Sequence, residues 1–542
     1  MNGGMNWLDW AIIIGYMAGL IGLSIYLGKS QESQEDYYVG GRKLPWWAVG
    51  ISTMATQLSA VSFISIPAFV ALKPGGGLRW LQYELAVPLA MIFIMIFFIP
   101  FFRKLKLISI YEYLEGRFNP ATRTFLSSVF LLSRGLATGV TIFASAIVLS
   151  ICLGIPMWAT ILLIGVVTII YDTIGGMSVV VYSDVIQMVI LLGGTFACAY
   201  YALQYVGGWS NAISLLSPER LQTLDFAKHG LGDSGKYPFW GFLVGGFFLY
   251  SSYYGCDQSQ AQRELSAPTL DATKYSLMLN GFLRFPLVII YIILGIVVGA
   301  YVQSHAGFGQ MVSSAPKPDY MLPLFIMHKL PHGIKAIIFA AILSAAMSSL
   351  DSALNSLSAS TMRDFVEKFW MKDAAEKKYL LWSKITTVGW GIFITASAFL
   401  FMKMGEKSTV IEMINKIGSA FYGPILAAFL LGVTTKRVTG WGVIIGIIAG
   451  VLFNILLWIF APTEVFWMWW NFLGCFVTII VAYISSLFMK APDMEKIKKY
   501  VLWEDKEIIE GEKKWIWKYA ILLAYFILMV VLCYYLPAIL KH

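Results

Sequence analysis

The sequence predicts an all-α integral membrane protein with about fourteen transmembrane helices. Three observations predict it. Of 542 residues, 58% are hydrophobic and only 13% charged, and the mean hydropathy is +0.71, far above what a water-soluble domain of this size needs. Apolar stretches of about 20 residues, the length that crosses a bilayer as a helix, recur from Asp9 to Val530. Between them fall Gly, Pro and charged residues, where a chain turns in water or headgroups.

We number the spans zero to thirteen. Span zero follows Met-Asn-Gly-Gly, with Asp9 at its head. It has no basic leader and no small-residue cleavage site, so it reads as a retained helix. Span one (46–72) is interrupted by Ser52, Thr53, Thr56, Gln57 and Ser59; span six (240–262) is interrupted from Tyr250 to Gln258. If spans one to five and six to ten are two repeats, both breaks fall in the first helix of a repeat. That is the sequence pointer to a midplane site in an inverted-repeat transporter, where unwound carbonyls can take up a cation.

Span eight, 337–355, reads IIFAAILSAAMSSLDSALN. At 100° per residue Ala345, Ser348, Ser349 and Ser352 share one helix face, and Asp351 lies at its edge. Hydroxyl and carboxylate oxygens suit a small hard cation, and an ionisable group within a membrane marks function. The bland alternative is that the serines bond back to carbonyls one turn earlier.

Orientation follows from Lys and Arg. With fourteen helices, one set of alternate loops holds 26 of the 40 basic residues, counting Arg263 and Lys274 among them; the opposite loops and tail hold 11, and Arg134, Arg284 and Lys416 fall within spans. The basic side is expected to be cytoplasmic, which puts both termini outside in a multi-pass cell membrane protein. The net charge of +9 then reflects orientation and contact with anionic membrane lipids, not nucleic acid. The hydrophilic break 490–518 reads as a segment on the cytoplasmic surface. No obligate protein partner is evident.

Other chemistries find little support. The five cysteines have no paired spacing, so no disulfide or metal framework is expected. His328 and His332 flank Pro331 without acidic company, a poor zinc site. Pro74 to Gly77 lacks the ending of a phosphate loop and reads as a turn at the outer mouth. No nucleophile–base pair or cofactor loop points to an enzyme.

Four stretches, taken together, resemble the sodium/solute symporters, the family of sodium/glucose, iodide and monocarboxylate carriers. They are Trp46-Trp-Ala-Val-Gly50, Gly175-Gly176 through Tyr182-Ser-Asp184-Val-Ile-Gln187, Asp257-Gln258-Ser-Gln-Ala-Gln262-Arg263, and Ala345 through Ser356. The resemblance implies a LeuT-like core of two inverted five-helix repeats (46–435), preceded by an extra helix and loop (1–45) and followed by C-terminal helices (436–542), in one transmembrane domain. It implies a sodium site made by the backbone oxygens of Ala55, Leu58 and Ala345 with the hydroxyls of Ser348 and Ser349. A second site, present in some members, maps to Asp184, Ser348, Asp351 and Ser352. Asp351 stands where many members have Ser or Thr, so it is open to sodium, a proton or a basic partner.

For substrate, the resemblance points to Tyr83 and Glu84 in span two, the gating Tyr253, and Gln57, Ser62, Tyr250, Arg284 and Asn415. Arg284 replaces a lysine of the sugar branch, Ser62 and Tyr250 depart from it, and DQSQAQRELS leans toward the anion-carrying branch. Arg284, near Glu84 and Asn415, is expected either to orient substrate or simply to bridge Glu84; Arg134 either answers an acidic group of the solute or packs structurally. Tyr83, Tyr253 and Phe421 are candidate cavity lids. The expected function is sodium-coupled import of a small polar solute, a sugar or sugar acid, by alternating access, with Na+ as coupling ion and no other cofactor. The rivals are a monocarboxylate or other anion symporter, a proton-coupled carrier of the same fold, and a transporter-like sensor, which would need a signalling domain that the sequence does not offer.

Overall fold

The computed structural model describes residues 5–57, 60–402 and 410–540. Among these residues there is no β-strand, only an isolated bridge between Leu231 and Val465. A lipid environment imposes this, because each backbone donor must be satisfied within its own segment.

The chain opens with α1 (Trp7–Gly28), capped by Asn6 and Asp9, each of whose side chains accepts from the backbone N–H of the other. A short helix, α2 (Gln34–Val39), buries Tyr37 and Tyr38. Helices α3 (Trp46–Gln57) and α4 (Ala60–Leu72) form one broken span, bent by 54°. Next come α5 (Leu81–Glu84), α6 (Ala86–Phe97) and α7 (Pro120–Leu153). Helix α8 (Met157–Val206) has 50 residues, about 75 Å at the helical rise and too long for one crossing. At Gly176 its backbone turns to φ 55°, ψ −154°, a conformation that only glycine adopts readily. A Cβ there would meet the Tyr37 carbonyl oxygen at 2.5 Å. The glycine pair noted in the sequence is thus the turn between two crossings.

Helix α9 (Gly246–Cys256) and α10 (Gln258–Glu264) are separated at Asp257, whose backbone is extended (ψ 124°) and whose carboxylate caps α10 by accepting from the Ser259 amide at 2.8 Å. The expected interruption from Tyr250 to Gln258 is therefore narrower than its polarity suggests: Tyr250 to Cys256 stay helical, and one capping residue makes the break. The remaining long helices are α11 (Leu270–Ser304), α12 (Ile334–Thr361), α13 (Glu376–Phe401), α14 (Val410–Thr434), α15 (Gly440–Phe460), α16 (Trp469–Leu487) and α17 (Ile516–Ile539).

Among the described residues, eleven helices are long and apolar enough to cross a membrane, twelve with the bent α3–α4 pair. Counting α8 as two crossings and α9–α10 as one broken crossing adds one each, giving the fourteen predicted.

Helix α12 is the hub. It packs against α1, α2, α3, α4, α7, α8, α10 and α13, and nearly all its side chains are buried. Its alanines and serines let backbones approach closely, the way helices associate where lipid removes the hydrophobic drive. By contrast α15 and α17 present Trp441, Leu452, Phe460, Ile527 and Leu528 outward, as lipid-facing helices do.

Gly176→Ala is expected to destabilise the fold by about 1–3 kcal/mol, from the disallowed backbone alone, and more if the Tyr37 contact cannot relax. The check is the thermal midpoint of the purified protein in detergent; an unchanged midpoint would contradict the turn assignment.

Candidate ion and substrate sites

Two polar clusters sit side by side in the bundle. The first gathers on α12. Ser348 donates from its hydroxyl to Asp184 of α8, and Ser52 of α3 donates to the other oxygen of that carboxylate at 2.5 Å. Ser352 donates to the Ser348 carbonyl at 2.6 Å and lies 3.2 Å from the Asp351 carboxylate. The Tyr171 hydroxyl donates to the other Asp351 oxygen at 2.6 Å. The residues Asp184, Ser348, Asp351 and Ser352, expected to hold a second cation, thus converge from α8 and α12.

A residue the sequence reading placed elsewhere joins them. Arg263, counted there as a cytoplasmic loop residue, is wholly buried on α10. Its guanidinium lies 3.6 Å from Asp184 and donates to the hydroxyls of Thr56 and Ser352. Lys274, counted in the same loop, is also buried, paired with Glu512. For Arg263 the cause is the break at Asp257, after which the chain re-enters helix as the buried α10; Lys274 lies on α11 and is covered by Glu512, Trp515 and Tyr519 from the C-terminal part of the chain. Of the three partners left open for Asp351, the basic one is not taken up, since Arg263 pairs with Asp184 instead.

Of the expected first sodium site, Ala55 lies buried near the end of α3, Ala345 on α12, and Leu58 lies outside the described residues. Ser349 donates to the Ala345 carbonyl at 3.3 Å, the back-bonding alternative, and its side chain also lines the neighbouring cavity. One turn away, Tyr16 of α1 donates to Ser344 at 2.6 Å. The donor set is hydroxyl, carbonyl and carboxylate oxygen, which fits a hard monovalent cation. Among the described residues no three His, Cys, Asp or Glu converge on a metal; His332 instead faces Asp9 at 2.5 Å.

The second cluster surrounds a cavity of about 580 Å³. Gln57, Ser62, Tyr83, Tyr253, Arg284 and Asn415, six of the expected substrate residues, line it. Glu84 and Tyr250 lie just behind. Glu84 accepts from Arg284 at 2.8 Å and from Tyr250 at 3.1 Å, while Tyr83 and Tyr250 stack with ring centroids 4.5 Å apart. Arg284 also donates to the Gln57 side-chain oxygen at 2.8 Å, and Tyr254 donates to that same oxygen. Arg284 is therefore held by Glu84 and Gln57, as the bridging alternative has it, at the cavity wall.

Arg134 is held more loosely. Its guanidinium lies 3.5 Å from Asp257 and 5.7 Å from the Tyr253 ring, and its Nε has no hydrogen-bond partner. Arg134, Asp257 and Phe421 also line the cavity. The third intramembrane cation, Lys416, leaves the site and lies against the rings of Trp458 and Trp470, a cation–π arrangement.

Broken helices flanking a midplane cavity, with a hydroxyl and carboxylate cluster beside it, define an ion-coupled membrane transporter. The chain belongs to the sodium:solute symporter family, whose model matches residues 37–450. It is 27% identical to the sodium/sialic acid symporter NanT of Aliivibrio fischeri over 93% of this chain and 98% of that one. It is 28% identical to the sodium/glucose cotransporter of Vibrio parahaemolyticus over 89% and 91%, and 30% identical to the human sodium/iodide cotransporter over 81% and 67%. Among solved structures, the substrate-bound outward-open state of a Na+-coupled sialic acid symporter superposes with a TM-score of 0.81 at 27% identity, covering 90% of this chain and 99% of that one. The nucleobase-cation-symport-1 family transporter Mhp1, at 11% identity and a TM-score of 0.51 over 88% of this chain and 98% of that one, shares the fold. The core is thus LeuT-like, and the protein is a sodium-coupled membrane transporter, not an enzyme.

Glu84→Gln leaves the Arg284 guanidinium buried with no carboxylate. It is expected to cost about 3 kcal/mol, as for breaking a buried pair, seen as a lowered thermal midpoint in detergent. Retention of the wild-type midpoint would mean that Gln57 alone satisfies Arg284.

Proposed function

We propose that this protein imports a sugar acid, a polyhydroxylated solute bearing one carboxylate, together with Na+. The observation that carries the proposal is the difference between the two arginines of the cavity. Arg284 has its charge met by Glu84 and its donors taken by Glu84 and Gln57, so it is rigid and suits neutral hydroxyls through the shared network. Arg134 has an unpartnered Nε, an ion-pair contact to Asp257 at 3.5 Å and the hydroxyls of Tyr253 and Tyr422 beside it, so a carboxylate of the solute would complete its shell. The relatives that transport sialic acid support this reading. A cavity of about 580 Å³ is more than a short monocarboxylate fills, which disfavours that rival.

In this reading sodium binds at the α3–α4 break against Ala55, Leu58, Ala345, Ser348 and Ser349, joining the broken helix to α12. Ser349 connects ion and solute, since it belongs to both the ion set and the cavity lining. A second ion would use Asp184, Ser348, Asp351 and Ser352 once Arg263 shifts. Tyr83, Tyr253 and Phe421 close over the solute, and the core formed by 46–435 rocks to release it inward. Each inward cation supplies about 2.3 kcal/mol per 100 mV and roughly 1.4 kcal/mol per tenfold gradient, so two ions drive about 7 kcal/mol of uphill import. The basic loops face the cytoplasm against anionic lipid, with both termini outside.

The first test is thermal stabilisation of the purified protein by hexoses, polyols, sugar acids and short monocarboxylates, each in sodium and in potassium, since a ligand of the folded state raises the melting point by mass action. Stabilisation by sugar acids in sodium alone is expected; stabilisation only by neutral hexoses or only by short acids would replace the substrate class. Arg134→Ala is expected to weaken the sugar acid's half-saturation roughly tenfold or more, the scale for losing a charged hydrogen bond, and to spare binding of its reduced, neutral analogue. Equal losses for both would remove the carboxylate role. Ser348→Ala and Ser349→Ala should each raise the sodium concentration for half-maximal uptake roughly tenfold, again on the scale of one buried polar partner; an unchanged sodium dependence sinks the site.

A further inference from the structure

Asp172 lies on the first crossing of α8, one turn before the Gly176 break. It is completely buried, and neither of its carboxylate oxygens has a hydrogen-bond partner. The nearby tyrosine hydroxyl of Tyr37 spends itself on the Asp172 main-chain carbonyl at 3.4 Å and on Thr387 at 3.0 Å. No donor therefore stabilises a negative charge at Asp172. An ionised carboxylate in that condition is among the most costly arrangements a membrane interior can hold.

The surroundings deepen the cost. The titratable groups that face Asp172 are Tyr171 beside it, Tyr37 and Tyr38 of α2, Asp351 of α12 and Arg263 of α10. From α13, Lys384 lies over the Tyr37 ring, 5.8 Å from its centroid. Arg263 is committed elsewhere, to Asp184, Ser352 and Thr56. Asp351 already takes the Tyr171 hydroxyl and has that of Ser352 3.2 Å away. Three buried carboxylates thus share one guanidinium, and Asp172 alone has no donor on either oxygen.

We propose that Asp172 is a proton-binding site, occupied while the neighbouring cation cluster is empty, and that it loses its proton when sodium binds at Asp184 and Asp351. The proposal rests on the sodium reading above. Tyr171 is the physical link, because its side chain holds Asp351 while its backbone neighbours Asp172. A cation among the Asp184 and Asp351 oxygens lowers the cost of a negative charge at Asp172, and by linkage an ionised Asp172 tightens sodium by the same factor. The sign follows: sodium affinity rises as pH rises, and sodium binding releases a proton.

The test uses the purified full chain in detergent and sodium chloride against choline chloride at the same ionic strength. Sodium half-saturation is read from thermal stabilisation across acid to mildly alkaline pH, and proton release from a pH dye in weakly buffered solution. For the wild type, half-saturation should fall by about fivefold or more toward alkaline pH, the lower end of ordinary site–site coupling, and sodium but not choline should release protons. Asp172→Asn, which fixes the uncharged state, should bind sodium with the weak acid-side half-saturation at every pH and release none. If it does not fold, Asp172→Thr supplies a different uncharged side chain of similar volume that likewise cannot ionise. For the wild type, infrared spectroscopy should also show a protonated carboxyl stretch that sodium removes. A wild-type half-saturation that ignores pH, the same pH trend in either neutral variant, or no protonated carboxyl in sodium-free protein would each overturn the proposal. Absence of any stabilisation by sodium over choline would overturn the sodium reading itself, a different result.

Discussion

Buried charge that no water can hydrate is the constraint from which the rest of this structure follows. Every ionisable side chain in the bundle either finds a counter-charge or hydroxyl shell inside it or stands as an exception that needs a reason. Glu84 and Arg284, Arg134 and Asp257, and Arg263 and Asp184 are matched pairs, and they tie together helices distant in sequence. The architecture can be read as the set of crossings that lets these pairs meet.

Helix α12 shows how packing and chemistry share one segment. Its small side chains let eight other helices approach, which closes the bundle, and the same smallness leaves Ser348, Ser349, Ser352 and Asp351 able to face neighbours instead of lipid. Larger apolar residues would pack a helix here and abolish the polar face. Smaller ones without oxygen would pack closely and bind nothing. The helix therefore combines Ala for approach with Ser and Asp for contact, and the ion cluster and the cavity lie on either side of it.

The breaks serve the same end. Gly176 turns α8 back through the membrane at a φ that a side chain would forbid, and brings Tyr171 and Asp184, on opposite sides of the turn, to the same region of α12. Asp257 interrupts α9 and α10 by capping the second piece, and at once faces Arg134 across the cavity. One carboxylate thus has a structural and an electrostatic task. The guanidiniums of the cavity differ in how completely they are satisfied, and that difference, more than the residue types, separates a scaffold bridge from a group ready for a ligand.

The sequence by itself determined the solvent, the helix count and the residues able to carry chemistry, because hydropathy, the period of a helix and the cost of charge in lipid are local properties. The serine face of α12 and the broken first helix of the core were legible in this way, whereas the six cavity residues were named through the family resemblance. What only the tertiary structure decided is which charges meet. Arg263 reads as a loop residue by its neighbours, and only the early re-entry of α10 carries it to Asp184. Tyr171 and Asp172 read as parts of an apolar span, and only the fold shows one bonded to Asp351 and the other bonded to nothing. Pairing between helices far apart in the chain leaves no local trace, since each partner's pattern is set by its own helix, and the match between them exists only once the bundle closes.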